Sequence, residues 1–242
     1  MRKPLASKRT GAVAFVGALA MVAGVTAMAV NADASPRNTA PGASTEVVSS
    51  DTATLTAGSA KPVKKVRTTP EGLLVTLLSD LPKGRTGHYA GNPASKSGNT
   101  VTQLMAQTYL DTGRGPGLLR ISIDREAPFR KGRPTKPKTT REDGLTRTSW
   151  TQKDGDKATV TRNPGNCIQS LTVALQRPNG TVIQLSVASC LAWDGQQNAP
   201  AHRALTQKQA LKVINDDRLG LKLPKKLVTE GARRFPNLPA IK

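Results

Sequence analysis

Two alternating runs on either side of Pro178-Asn179-Gly180 constrain the fold more than anything else in the sequence. Leu171, Val173 and Leu175 alternate with polar or small neighbours, and so do Ile183, Leu185 and Val187. Alternation with a period of two marks a strand with one buried face, and Asn-Gly between two such runs marks a hairpin. Setting all six apolar side chains on one face pairs Leu175 with Ile183, Val173 with Leu185 and Leu171 with Val187. A slip of one residue would oppose Gln184 to Val173 and spoil that face. The loop that remains is a type I turn with Gly180 in the left-handed position and a bulge.

The same period recurs along the chain. Leu119, Ile121 and Ile123 alternate with Arg120, Ser122 and Asp124, after a turn at 111–117. Residues 146–152 and 157–162 flank Asp154-Gly155, a second hairpin signal. Residues 100–110, rich in Thr and Gln with Val101, Leu104 and Tyr109, read as one strand. Helices bracket this region. Thr69 is a cap, Pro70 suits the first helical position and Glu71 suits the positive helix end. Leu74, Leu77, Leu78 and Leu81 follow on one side, which predicts a helix over 70–81 lying on a sheet. Thr206-x-x-Gln209 is a capping box that starts a helix running to about Arg218, with Ala210, Leu211, Val213 and Ile214 on its apolar side. A second short helix starts at Pro224, and the tail at 235–239 is extended. The expected fold is therefore α+β: an antiparallel sheet of about six strands in hairpins, with an N-terminal helix and one or two C-terminal helices packed on it.

The N-terminus speaks to compartment. Arg2, Lys3, Lys8 and Arg9 precede residues 11–30, which carry no charge, and Ala32-Asp33-Ala34 follows before Ser35. A positive end, an apolar stretch and a small-residue site form the layout of a secretory signal cleaved between Ala34 and Ser35. The apolar run of 20 residues is also long enough to span a bilayer as a retained anchor. Its seven Ala, three Gly and single Leu make it weakly apolar for that length. Either way residues 35–242 are expected to be secreted or otherwise extracytoplasmic. Residues 35–68, rich in Ser, Thr, Ala and Pro, read as a flexible stalk, with one domain over 69–242.

Export bears on the two cysteines, Cys167 and Cys190, which bracket the Pro178–Gly180 hairpin. In an oxidising compartment such a pair bonds. Continued along regular strands, the register puts them on opposite faces, so a bulge near 164–166 or past Ser189 is expected. Two buried thiols, or a Cys–His pair with His202, are the other readings.

Charge narrows the partners. The net charge is +20, and without residues 1–34 the chain still carries 32 bases against 15 acids. Two basic stretches stand out. Lys61, Lys64, Lys65 and Arg67 end the stalk. Arg125 to Arg141 holds Arg130, Lys131, Arg133, Lys136 and Lys138 among three prolines, which predicts a flexible loop rather than a strand. A third basic run, from Lys208 to Arg234, lies in the C-terminal helices. Outside a cell the matching polyanions are anionic cell-wall or membrane-surface polymers. A basic surface that binds nothing in particular is the plain reading of the same charges. Nucleic acid is excluded by compartment and by an aromatic content of 3%.

Nothing in the sequence carries catalysis. There is no G-x-S-x-G, no H-E-x-x-H and no phosphate loop ending in Gly-Lys. Lys96-Ser97-Gly98 matches one motif of penicillin-recognising enzymes, but their S-x-x-K nucleophile is missing. Gly113-x-Gly115-x-Gly117 lies in a turn and opens no helix. Asp216-Asp217 has no neighbouring carboxylate to complete a metal site, and His88, Trp150 and Trp193 read as core or surface residues. Asn179-Gly180-Thr181 fits a glycosylation sequon, yet the turn calls for those residues anyway. No catalytic residue, metal or cofactor is expected.

Thr69-Pro70-Glu71-Gly72, the Leu-rich helix after it, the strand pairs and Leu205-Thr206-x-x-Gln209-Ala210-Leu211 resemble uncharacterised exported or membrane-anchored proteins of actinobacteria, over roughly 69–240. The resemblance implies a cell-envelope location and no established activity. Some of those proteins carry a cytoplasmic arm, whereas the arm here is ten residues long, too short for a cytoplasmic anti-sigma domain. The expected function is a non-enzymatic binding module touching anionic envelope polymers through Lys61–Arg67 and Arg125–Arg141. The alternative is an interaction or sensor domain anchored by one transmembrane helix, with another exported protein as partner at an apolar edge around Leu223, Leu227 and Phe235.

Overall fold

The computed structural model describes residues 63–97 and 100–241. The leader, the Ala34–Ser35 site, the span 11–30, Lys61 and Gly98 lie outside the described residues. In chain order the elements are β1 (Lys65–Arg67), α1 (Pro70–Asp80), β2 (Arg85–Asn92), β3 (Ser95–Ser97), β4 (Thr100–Thr102), β5 (Leu104–Asp111), β6 (Pro116–Arg125), β7 (Lys138–Glu142), β8 (Leu145–Thr151), β9 (Lys157–Arg162), β10 (Leu171–Gln176), β11 (Thr181–Val187), α2 (Gln207–Ile214), β12 (Lys222–Pro224) and α3 (Lys225–Arg234).

The fold is α+β, with an antiparallel sheet of eight strands, rather than about six, in the order β2-β5-β6-β11-β10-β9-β8-β7. The β10–β11 hairpin has the predicted register, and Gly180 is left-handed with φ 84°. Three cross-strand rows make the core face. One of them runs Ala106, Ile121, Leu185, Val173 and Val160 from β5 to β9, every member fully or almost fully buried. Each fully buried Leu or Ile contributes about 2 kcal/mol. At β8 and β7 the rows turn to Thr148 and Thr139, and β7 is exposed throughout. Helices α1, on β5 and β2, and α2, on β10 and β11, cover this face.

The remaining departures from expectation have local causes. Strand β2 lacks a period-two signature because His88 takes φ 52° and the register with β5 shifts between Gly87 and Ala90. The single strand expected over 100–110 is two, since β4 turns away to pair with β3. Helix α2 keeps its capping box but stops at Ile214, where Asn215 caps it. Order begins before Thr69. β1 pairs with β12, and the Thr68 hydroxyl and N–H bond the carbonyls of Gly220 and Leu221, so Lys65–Arg67 belong to the folded domain.

Helix α1 is buried on nearly every side because α3 lies across it. The crossing is close enough that a Cβ on Gly231 would sit 2.5 Å from the carbonyl carbon of Glu71. The C-terminal tail shields the free edge of β2, with Gly91 N–H donating to Pro239 O at 2.8 Å. Edge strand β7 is protected instead by its own charges, Lys138, Arg141 and Glu142.

Residues 126–137 carry the chain from β6, in mid-sheet, past four strands to β7 at the far edge. Five spacings of about 4.8 Å make a crossing of about 24 Å, well within the reach of this segment. Pro128, Pro134 and Pro137 suit an extended path. The segment is tied down rather than loose. Glu126 N–H donates to Gly180 O at 2.8 Å, Phe129 N–H to Pro178 O at 3.0 Å and Thr135 N–H to Thr151 O at 3.1 Å. Thr151 N–H returns a bond to the Thr135 hydroxyl, and Lys157 lies 4.0 Å over the Phe129 ring. A Cβ on Gly180 would collide with Glu126 O, so the turn needs glycine twice, for its φ and for this approach. The expectation of a flexible loop through Arg141 is thus corrected. The crossing strap is held at three points, and Lys138 and Arg141 stand on a strand.

A carboxylate cluster joins α1 to the end of α2. Arg218 donates to Asp80 Oδ1 and to Asp216 Oδ2, both at 2.7 Å. Asp80 Oδ2 is buried with no donor among the described residues. Two carboxylates side by side share a proton more easily than they both ionise. Burial, then the contact with Asp216, pushes Asp80 up to about 7. Asp216 is held below its ordinary value, chiefly by its bond from Arg218 and despite its own burial. An Asp that protonates more readily folded than unfolded stabilises the fold fully below its unfolded value, and loses that contribution as pH rises through about 7. Asp80→Asn keeps an acceptor for Arg218 and supplies a permanent donor toward Asp216. Urea denaturation should find the variant more stable than the parent by about 1–2 kcal/mol at pH 8, with the gap closing by pH 5. An equal loss of stability at both pH values would contradict the shared proton.

Candidate functional site

The sheet has a second face that none of the described helices covers. In the register, residues opposite in phase to the core form polar rows. One runs Gln107, Arg120, Ser186, Thr172, Thr161, Arg147 and Thr140 across seven strands. The next holds Ser122, Gln184, Ala174, Thr159, Ser149 and Lys138, and a third holds Gln176, Lys157 and Thr151. Neighbouring hydroxyls pair across strands, Ser149 with Thr159 at 3.1 Å and Thr172 with Ser186 at 3.3 Å. Arg120 lies flat on this face, donating twice to Gln107 Oε1, and burial lowers its guanidinium below the ordinary value.

The strap turns the β7–β11 half of this face into a groove of about 760 Å³. Its floor is the hydroxyls and amides of β8 to β11, and its wall is Glu126, Thr135 and Lys136 of the strap. Four bases line it, Lys136, Lys138, Arg147 and Lys157, against the single acid Glu126. That acid already accepts from Gln176 Nε2 at 2.6 Å. Trp150 alternates to the other side and packs against the core. The groove offers cations above a bed of neutral donors and acceptors, an arrangement suited to an anionic chain rich in oxygen.

The structure divides the residues singled out from sequence. Lys136 and Lys138 line the groove. Arg147 and Lys157 join them. Neither belongs to a basic run, since Arg147 is the only base of β8 and Lys157 shares β9 only with Arg162 at its far end, and only strand phase relative to the core marks them. Arg130 and Arg133 are exposed on the strap, and Lys131 lays its stem on Gly155. Arg141 is a residue out of phase with Lys138 on β7. Lys64, Lys65 and Arg67 are exposed at the separate β1–β12 ribbon and do not line the groove.

Cys167 and Cys190 form a disulfide with a Cα–Cα distance of 5.4 Å. The phase conflict does not arise because both lie beyond the ends of their strands, with Ser189 N–H donating to Cys167 O. Neither thiol is free, which removes the Cys–His pair. His88 stacks on Tyr109 with ring centroids 4.6 Å apart, and His202 sits among arginines. Of the apolar edge expected for a partner, Leu223 is fully buried and Phe235 packs on Tyr89 and the core, which leaves only Leu227 half-exposed beside α1. Among the described residues no His, Cys, Asp and Glu group could hold a metal ion, and no helix is long and apolar enough to cross a membrane. No family model, curated protein or solved structure matches the chain significantly.

Proposed function

We propose that this chain is an exported cell-envelope protein, not an enzyme, whose domain holds an anionic envelope polymer on the open face of its sheet. The observation that carries the reading is the groove with its four bases and one acid, walled by a strap pinned at three points. Export is supported by the charge pattern of residues 2–35 and by the Cys167–Cys190 bond, and the resemblance to exported actinobacterial proteins agrees with it. The test is sedimentation of the chain with cell-wall fractions of its host across a salt series. Retention at low salt should vanish near 1 M, where screening reaches about 3 Å. Retention unchanged in 1 M salt refutes binding by charge, and N-terminal sequencing of the protein from its host tests export on its own.

A second reading, an extracytoplasmic domain that docks another exported protein, draws on the groove between α1 and α3. There Val63, 68% exposed, faces Leu78, Leu81 and Leu227. A pull-down that survives 1 M salt would favour it.

A further inference from the structure

On the helix side of the sheet, at the end away from the strap, a smaller pocket of about 290 Å³ gathers Arg114, Arg162, His202 and Arg203 over a floor of Leu171 and Leu205. We propose that it binds a phosphate monoester, a compact dianion, and that it does so independently of the open-face groove. Three solvent-exposed arginines lining one small pocket concentrate positive charge there, which a bound anion would offset. Among the described residues none of the three has a carboxylate within salt-bridge distance.

Each arginine is placed by the fold. Arg114 projects from the β5–β6 turn between Gly113 and Gly115, both left-handed. Asp111 Oδ1 accepts both of their N–H groups, at 2.8 and 3.0 Å, and Arg85 in turn holds Asp111. The turn is thus rigid and leaves the Arg114 head free. Arg162, at the end of β9, gives Nη2 to Gln207 Oε1 at 2.6 Å, which leaves the rest of its fork open. Arg203 gives Nε to the buried Ser170 hydroxyl at 3.2 Å and keeps its two terminal nitrogens. A Cβ on Gly117 would strike His202 O, so the 202–204 segment lies tight against β6. The start of α2 adds to the site. Its capping box uses the N–H groups of Thr206 and Gln209, and Gln207 and Lys208 remain for an outside acceptor.

The pocket is too small for a polymer but has room for a phosphate and the first atoms of its carrier. Planar forks suit the oxygens of phosphate, and a monoester's second charge rewards three arginines more than a diester or a carboxylate would. The carrier is either a free phosphorylated metabolite or a lipid headgroup.

NMR titration of the full chain, read at the arginine Nε–H signals, tests this. Inorganic phosphate and glycerol 3-phosphate should give saturable shifts confined to Arg114, Arg162 and Arg203. Arg114→Ala, which removes no hydrogen bond of the fold, should weaken binding about tenfold, as should Arg162→Ala. Lys138→Glu/Arg147→Glu/Lys157→Glu should leave phosphate affinity unchanged, so failure of the envelope reading and failure of this one are separable. Phosphatidylcholine vesicles doped with phosphatidic acid identify a lipid carrier if they bind more tightly than glycerol 3-phosphate, and a soluble one if they do not. Shifts that never saturate and spread over all basic residues, or parental affinity in Arg114→Ala with its melting curve unchanged, would overturn the proposal.

Discussion

Lys138→Glu/Arg147→Glu/Lys157→Glu will lose about a hundredfold or more of the chain's retention on anionic wall polymer at low salt. Each base near an anionic surface contributes about 1 kcal/mol, reversal replaces attraction by repulsion, and a hundredfold needs only about 2.7 kcal/mol from all three. The three side chains stand on β7, β8 and β9 of the open face and support no part of the core, and Lys157 gives up only its contact with the Phe129 ring of the strap, about 1 kcal/mol, so the melting temperature should fall by no more than a few degrees. The comparison that decides is Lys64→Glu/Lys65→Glu/Arg67→Glu. It changes the net charge by the same amount, but on the β1–β12 ribbon. If binding resides in the groove, this second variant binds almost as the parent does. Equal losses in both would mean that total charge, not place, holds the polymer.

Cys167→Ser/Cys190→Ser will lower stability by about 3 kcal/mol. The bond closes a loop with a sequence separation of 23, and a constraint of that length on the unfolded chain has about this value. For a domain of this size the melting temperature should fall by about 10 °C. The bond ties the hairpin at the end opposite its Pro178–Gly180 turn, so both ends of β10–β11, the centre of the sheet, are closed covalently or by the tight turn. Reductant should reproduce the loss in the parent and leave the variant unaffected. Hydrogen exchange should locate the first opening at residues 189–201, where Ala201 N–H bonds Ser189 O and Leu191 N–H bonds Ala199 O. A melting temperature unchanged in the variant would mean that packing around the buried Cys190, not the bond, holds this corner.

The features that are legible in the amino-acid sequence share a property: the residues that decide them are close along the chain. Thr69 caps α1 by accepting from Gly72 N–H, and Thr206 and Gln209 form their reciprocal pair. The Asp154-Gly155 and Asn179-Gly180 turns set hairpins, and the register of the second follows from keeping one face apolar. Even the disulfide is legible as two cysteines flanking one hairpin in a chain expected to be exported, although the register continued along regular strands would set them on opposite faces. Strand β2 is not legible because one residue with positive φ breaks the alternation, and β7 is not because an exposed edge strand needs no apolar residue.

The candidate site is half legible. Lys136 and Lys138 stand out as part of a basic run, while Arg147 and Lys157 look like ordinary polar positions in strands. Their meaning depends on which strands lie side by side. The ribbon bases Lys64, Lys65 and Arg67, and the arginine pocket, show the same lesson from opposite directions. A run of like charges in sequence is carried away from the groove, and Arg114, Arg162 and Arg203, far apart along the chain, are brought into one pocket.

By itself, then, the sequence determined the caps, the turns, the register of the Pro178–Gly180 hairpin and the strongly basic balance, because each rests on simple periodicity, on composition or on interactions between residues near one another in the chain. Only the tertiary structure decided that β6 pairs with β11, that the strap crosses to a far edge, and which polar face stays open. Any apolar strand face can pair with any other, so long-range order follows from the joint packing of the whole core against α1 and α2, and no local pattern encodes it.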